Sequence, residues 1–216
     1  MGFMSCHQCQ GIEVEFNEKY AAKSLKKYRK KGPVKTTKMM LNAIKAEEIS
    51  GYSLLDIGGG VGAIQFELFK SGLDKAISVE ASTAFLNTAK EEADYLGYKN
   101  QISFYHGNFV DLAKDIPETD IVTLDRVICC YDDMEDLVSL SSKRASKIYG
   151  AVYPRDVLWV RMGFAVLNFF LRLFRCQFKT FVHPTAKVDG LIQSSGLKQK
   201  YYEKAGVWQV VVYSHL

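Results

Sequence analysis

The apolar positions of this chain follow a helical period first and an alternation of short strands and helices afterwards. Across 13–31, Phe16, Tyr20, Ala21, Ser24, Leu25 and Tyr28 recur at helical spacing while lysines fill the opposite face, which predicts an amphipathic helix. Gly32-Pro33 ends it, and Thr36-Thr37 can cap a second helix through Met39, Met40, Leu41, Ala43 and Ile44 that Gly51 closes. From Tyr52 onward strands are predicted at 52–57, 76–80, 102–105, 120–124 and 147–153. Helices fall between them at 61–71, 82–96, 109–114 and 133–145, followed by a helix at 184–195 and strands at 197–203 and 207–213. Strands that alternate with helices form a parallel sheet covered on both faces. Only Gly206 and its neighbours separate the last two strands, so these pair as an antiparallel hairpin. The expected fold is α/β: a doubly wound, seven-stranded, mostly parallel sheet with a C-terminal hairpin. Residues 1–50 form an N-terminal helical extension or lid, and 51–216 form the main domain.

The stretch 157–174 departs from this rhythm. It is eighteen residues of mostly aromatic and aliphatic character, close to the shortest membrane span. Arg161, Asn168 and Arg172 stand seven and four apart and so share one helix face. A span would hold two arginines at depth, at a cost of about 2.5 to 3.5 kcal/mol each near its centre. The reading is an amphipathic helical insert with a narrow polar stripe, whose apolar face covers an active site, pairs with a second copy, or rests on a membrane surface.

Length and composition narrow the class further. A chain of 216 residues suits one sizeable domain, and 48% hydrophobic with 24% charged residues excludes disordered and fibrous classes. The net charge of +4 is mild, and its basic excess is concentrated between Lys19 and Lys38. Five cysteines, an odd number, and a start without an apolar signal-peptide core point to a reducing, cytoplasmic setting. Cys6-His7-Gln8-Cys9 has the spacing of half a zinc or redox site, but no second pair follows at a suitable distance, so no metal is expected.

The chemistry concentrates in Leu54-Leu55-Asp56-Ile57-Gly58-Gly59-Gly60-Val61-Gly62, an apolar strand that ends in a carboxylate and enters a glycine-rich turn. Glycines at 58, 60 and 62 permit a sharp turn and close approach of a ligand to the backbone. With Ala63 the pattern also satisfies G-x-G-x-x-A, so a dinucleotide loop stays open. Asp56 at the strand tip would repel a pyrophosphate and suits a cationic ligand. Glu80, ending the next strand, stands where a carboxylate accepts hydrogen bonds from ribose hydroxyls, which serves either cofactor.

On Asp56-Ile57-Gly58-Gly59-Gly60-Val61-Gly62 the chain resembles the class I S-adenosylmethionine-dependent methyltransferases, whose motif is a strand ending in an acidic residue followed by G-x-G-x-G. The resemblance runs from Tyr52 to the C-terminus and implies a Rossmann-like fold with S-adenosyl-L-methionine as cofactor. It implies that Glu80, with Ala81 beside it, holds the ribose. Gly107-Asn108-Phe109 stands where the family shows Gly-Asp and an apolar residue bordering adenine. The amide of Asn108 replaces the acid and can accept from the adenine amino group through its carbonyl oxygen. Asp125, ending the fourth strand, matches the place where family members line donor and substrate. The cofactor residues expected are therefore Asp56, Gly58, Gly59, Gly60, Gly62, Glu80, Ala81, Asn108, Phe109 and Asp125.

On the acceptor side, Tyr131, Tyr153, Arg155 and His183 follow strand ends or precede a helix, where open parallel sheets place their ligands. His183, Tyr131 and Asp125 are the catalytic candidates, with His183 suited to a general base by its intrinsic pKa; the alternative for His183 is a histidine hydrogen-bonded in a loop. His106 reads as local structure. Nucleic acid is disfavoured as acceptor, because Arg126-Val127-Ile128-Cys129-Cys130-Tyr131 lacks the Asn/Asp-Pro-Pro-aromatic signature and no Pro-Cys nucleophile is present. The expected function is methyl transfer to a small hydrophobic molecule. A nicotinamide-dependent oxidoreductase and a non-catalytic cofactor-binding module are the alternatives.

Overall fold

The computed structural model describes residues 7–174 and 176–215, with side chains from Gly11 to His215, so the Cys6/Cys9 pair lies outside what is described. Seven strands form one sheet: β1 (Ser53–Ile57), β2 (Lys75–Glu80), β3 (Ile102–His106), β4 (Thr119–Asp125), β5 (Ala145–Pro154), β6 (Lys198–Ala205) and β7 (Trp208–Ser214). Their order is β3-β2-β1-β4-β5-β7-β6. Strands β1 to β5 pair in parallel, while β7 runs antiparallel to both β5 and β6. Six strands therefore share one direction, and the hairpin inserts β7 against it.

Period-two alternation builds two cores, one on each face of the sheet. Leu54, Ile121, Ile148, Val210 and Val212 point to one face with Phe66 and Met40. Their immediate neighbours Leu55, Val122, Tyr149, Val211 and Tyr213 point to the other, with Leu137 and Ile192. The first face is covered by α2 (Glu18–Lys31), α3 (Lys35–Ile44), α4 (Ala63–Phe69) and α5 (Thr83–Leu96); the second by α6 (Phe109–Leu112), α7 (Met134–Ser142) and α9 (Thr185–Gln193). Helix α3 comes close to β5 at Gly150, where a Cβ would sit 3.0 Å from Met40 Sδ and 3.2 Å from Ile44 Cδ1.

Two N-terminal expectations are corrected. The helix predicted over 13–31 is two helices, α1 (His7–Glu15) and α2, because Asn17 leaves helical geometry and accepts from the Tyr20 N–H as N-cap. Thr36 and Thr37 do not cap α3, whose N-cap is Val34. Both are buried in its first turn, and Thr37 donates its hydroxyl to Asp125. The junction between α1 and α2 is fastened over the start of α5: Ser82 Oγ donates to the Phe16 carbonyl at 2.6 Å and the Thr83 N–H to Glu13 at 2.9 Å. The Phe16 ring packs edge-on against Phe85 at 5.8 Å and Phe178 at 5.6 Å. At the other end of α2, Arg29 pairs with buried Glu92.

The insert is α8 (Leu158–Leu173), with Val160 its one buried residue. Among the described residues no helix is long and apolar enough to cross a membrane. Tyr153 lies within β5 and is buried, so it belongs to the core and not to a strand-end site.

Candidate functional site

The strand order reverses direction between β1 and β4, and in an open parallel sheet a ligand crevice forms at the carboxyl ends flanking such a reversal. The glycine turn leaves β1 there. Gly58, Gly60 and Gly62 all take positive φ, at 66°, 56° and 83°. The Gly58 N–H bonds the Val79 carbonyl at 2.8 Å, so the turn is stitched to β2. Across the crevice, Val127 fills the space that a Gly58 side chain would need.

Asp56 lies beneath this turn, 1% exposed. It accepts from Thr123 Oγ1 at 2.7 Å and from Gln65 Nε2 at 3.1 Å, and Gln65 also donates to Ser78 Oγ at 2.9 Å. Burial lifts its carboxyl from 3.8 to about 7, against the opposing pull of the Thr123 and Gln65 hydrogen bonds. The folded carboxyl thus takes up its proton at higher pH than the unfolded one, and stability falls as pH rises from about 4 to about 7. Asp56→Asn is expected to remove that slope: its melting temperature gains on the wild type across this window and runs parallel to it above pH 7. Thermal melts of both proteins against pH check this, since the other titrating groups cancel in the difference.

Glu80 is also buried, and burial raises its carboxyl pKa against the backbone N–H groups that oppose the shift. One oxygen accepts from the Gly60 N–H at 2.9 Å and the other from the Ser82 N–H at 2.8 Å. Each oxygen keeps lone-pair capacity for a ligand hydroxyl. Ala81, next in chain, offers its carbonyl to His106 Nε2 at 3.0 Å, which makes His106 part of the local scaffold.

At the end of β4, Asp125 accepts from Thr37 and forms an ion pair with Arg126 at 3.0 Å. Arg126 has φ 61°, the one non-glycine residue with positive φ among the described residues. Such a conformation costs about 1–3 kcal/mol and persists where the surroundings hold it. Arg126 lines a cavity of about 360 Å³ with Val34, Lys35, Thr36, Ala205, Gly206 and Trp208. The α3 N-terminus, the β4 end and the β6–β7 hairpin thus meet at one opening.

The remaining candidates form a second group. Tyr131 donates its hydroxyl to Asn108 Oδ1, which also accepts from the Val110 N–H at 3.2 Å as N-cap of α6. The oxygen expected to meet an adenine amino group is therefore engaged within the chain. The Phe109 side chain is 1% exposed and belongs to the core, so only its backbone can meet a ligand. His183 Nε2 donates to the Tyr131 carbonyl at 2.8 Å, and its ring stacks on Phe181 at 5.8 Å. Burial lowers its pKa, against the opposing pull of hydrogen bonds to the Tyr131 and Ile128 backbone. Arg155 donates to the Gly206 carbonyl at 3.3 Å, at the hairpin rather than in the crevice. Thr37, Gln65, Thr123 and Arg126 join these candidates through contacts made only in the fold; in the sequence Thr123 stands out as the polar residue of the run Ile121-Val122-Thr123-Leu124. Among the described residues no group of three His, Cys, Asp or Glu side chains could hold a metal ion.

Residues 48–154 match a family model described as a methyltransferase domain. No curated protein matches the chain in sequence. Among solved structures, the magnesium protoporphyrin IX methyltransferase of Synechocystis PCC 6803 with bound SAH superposes with a TM-score of 0.70 at 16% identity, covering 97% of this chain and 100% of that one. The same enzyme with bound SAM gives 0.68 at 13% identity over the whole of both chains. A Haloferax volcanii complex of the Trm112 methyltransferase activator with a methyltransferase gives 0.70 at 13% identity, covering 94% of this chain and 96% of that one. At these identities the structural likeness shows the fold, and the family match over 48–154 is to a methyltransferase domain. Residues 48–154 are thus a methyltransferase domain, carried on the fold of the S-adenosylmethionine-dependent methyltransferases.

Proposed function

We propose that this methyltransferase acts on a small apolar acceptor that carries an anionic group. The observation behind this reading is the cavity at the end of β4, which sets the Trp208 ring and the side chains of Val34 and Ala205 beside the cations Arg126 and Lys35. An apolar body fits the first set and an anion the second.

The crevice fits the cofactor on the chemistry of its donors. Glu80 takes the ribose hydroxyls beside Ala81, and the Gly58–Gly62 backbone approaches the methionyl carboxylate, a close approach that side chains would block. Asp56 holds the turn from below through Gln65 and Thr123, acting as a positioning residue. Asn108 and the Phe109 backbone border the adenine, with Tyr131 fixing Asn108. Asp125 and Arg126 stand between donor and acceptor. S-adenosylmethionine supplies a methyl group on a sulfonium for in-line displacement; the chain aligns the acceptor, excludes water and, through His183, takes a proton where the acceptor has one to lose. The α1–α2 junction, fastened to Ser82 and Thr83, serves as lid over the cofactor.

The test is transfer from methyl-labelled S-adenosylmethionine to a panel of aromatic and polycyclic acids and their neutral esters. Label is expected on the acids. Arg126→Gly relaxes the backbone and loses the cation, so acceptor KM rises about tenfold or more. Equal labelling of acids and esters would overturn the anionic part of the reading. Cofactor binding with no labelled acceptor in lysate would favour the non-catalytic module.

A further inference from the structure

We propose that α8 docks this protein on an anionic membrane surface, lying in the interface with its apolar face toward the lipid. Leu158, Trp159, Met162, Val166, Phe169 and Phe170 recur at spacings of one, three and four, which puts them on one side of the helix. All are exposed, from 48% upward. Soluble surfaces seldom present so continuous an apolar patch without a partner.

The helix is held for presentation. Its opposite edge faces the protein: Val160 is buried, and Phe164 meets Trp208 edge-on at 6.5 Å. Asn168 donates to the Thr180 carbonyl at 2.7 Å and accepts from the Thr180 N–H at 3.0 Å. Sixteen residues extend about 24 Å, short of the roughly 30 Å hydrocarbon core, so α8 lies on a bilayer instead of crossing it.

Charge selects the occupant. The segment 157–182 carries Arg161, Arg172, Arg175 and Lys179 and no acidic residue. Arg161 pairs with Asp156 just outside it, and Arg155 sits 5.9 Å from the Trp159 ring. An apolar face edged by cations, with an aromatic near its start, matches a surface of anionic lipid headgroups over acyl chains. A second copy would set the same acid-free segment against itself, with no carboxylate to receive the arginines. Trp208 touches α8 and also lines the acceptor cavity, so docking brings that opening toward the lipid. This last link rests on the acceptor reading above; the docking itself does not.

Flotation of the full chain with phosphatidylcholine vesicles, with and without phosphatidylserine, tests the proposal without reading methyl transfer. The protein is expected to float with the anionic vesicles, and high salt should weaken that binding. Arg172→Gln should weaken partition onto the anionic vesicles about fivefold and leave the neutral ones unchanged. Trp159→Ser, Phe169→Ser and Phe170→Ser combined should leave the protein at the bottom of the gradient with an unchanged melting temperature, because these side chains contribute little to the core. Three results would overturn the proposal: wild type failing to float with either vesicle, the triple variant floating as well as wild type, or a wild-type dimer that the triple variant converts to monomer.

Discussion

Gly58→Ala is expected to abolish S-adenosylmethionine binding in a calorimetric titration and to lower the melting temperature by roughly 5–15 °C. Two costs add. At φ 66° a side chain sits in the left-handed region, which costs about 1–2 kcal/mol. The new methyl would also lie closer to Val127 than the 3.0 Å that real Cβ atoms keep. Overpacking of that kind costs about 1–3 kcal/mol. Val127 has little room to yield, because it follows Arg126, whose own positive φ is held by Asp125 and, through Asp125, by Thr37. Relief must come from the glycine turn, whose backbone is the part that approaches the cofactor. Gly206→Ala supplies the control: φ is 62° there and nothing lies within 4 Å of the added carbon. It should carry the conformational cost alone and bind the cofactor normally. Cofactor affinity within threefold of wild type for Gly58→Ala would remove the turn from the binding role.

Glu80→Ala is expected to weaken S-adenosylmethionine binding about 10- to 100-fold, the loss of hydrogen bonds to a charged acceptor. The carboxylate bridges the Gly60 and Ser82 N–H groups, so its removal also leaves two backbone donors without their partner and loosens the turn against α5. The stability loss is partly offset, because a carboxylate is no longer held buried against the burial that raises its pKa. Binding should therefore fall further than melting temperature would suggest. A lower melting temperature with unchanged affinity would make Glu80 an anchor of the loop and nothing more.

Much of this was legible in the residues. The strand-and-helix alternation led to seven strands within two residues of their observed ends, and the short Gly206 turn led to the hairpin. Each rests on local periodicity or turn chemistry. Boundaries failed where a side chain had two uses open to it. Asn17 in the middle of a helical pattern is an N-cap, and Thr36-Thr37 look like caps but are buried, with Thr37 turned to Asp125. Tyr153 resembles a strand-end residue only if β5 stops a residue earlier than it does.

The sequence by itself determined the order of elements and the glycine turn with its acidic strand tips, because these depend on neighbours a few positions apart. Tertiary structure alone decided what those groups touch. The Thr37–Asp125, Thr123–Asp56 and Arg29–Glu92 pairs join residues 88, 67 and 63 positions apart, separations over which no local pattern carries information. It also decided which edge of α8 meets the protein and which is left bare. An amphipathic pattern distinguishes two faces of a helix, and only packing against β7 at Trp208 and tethering to Thr180 show that the wider apolar face of this one has no partner among the described residues.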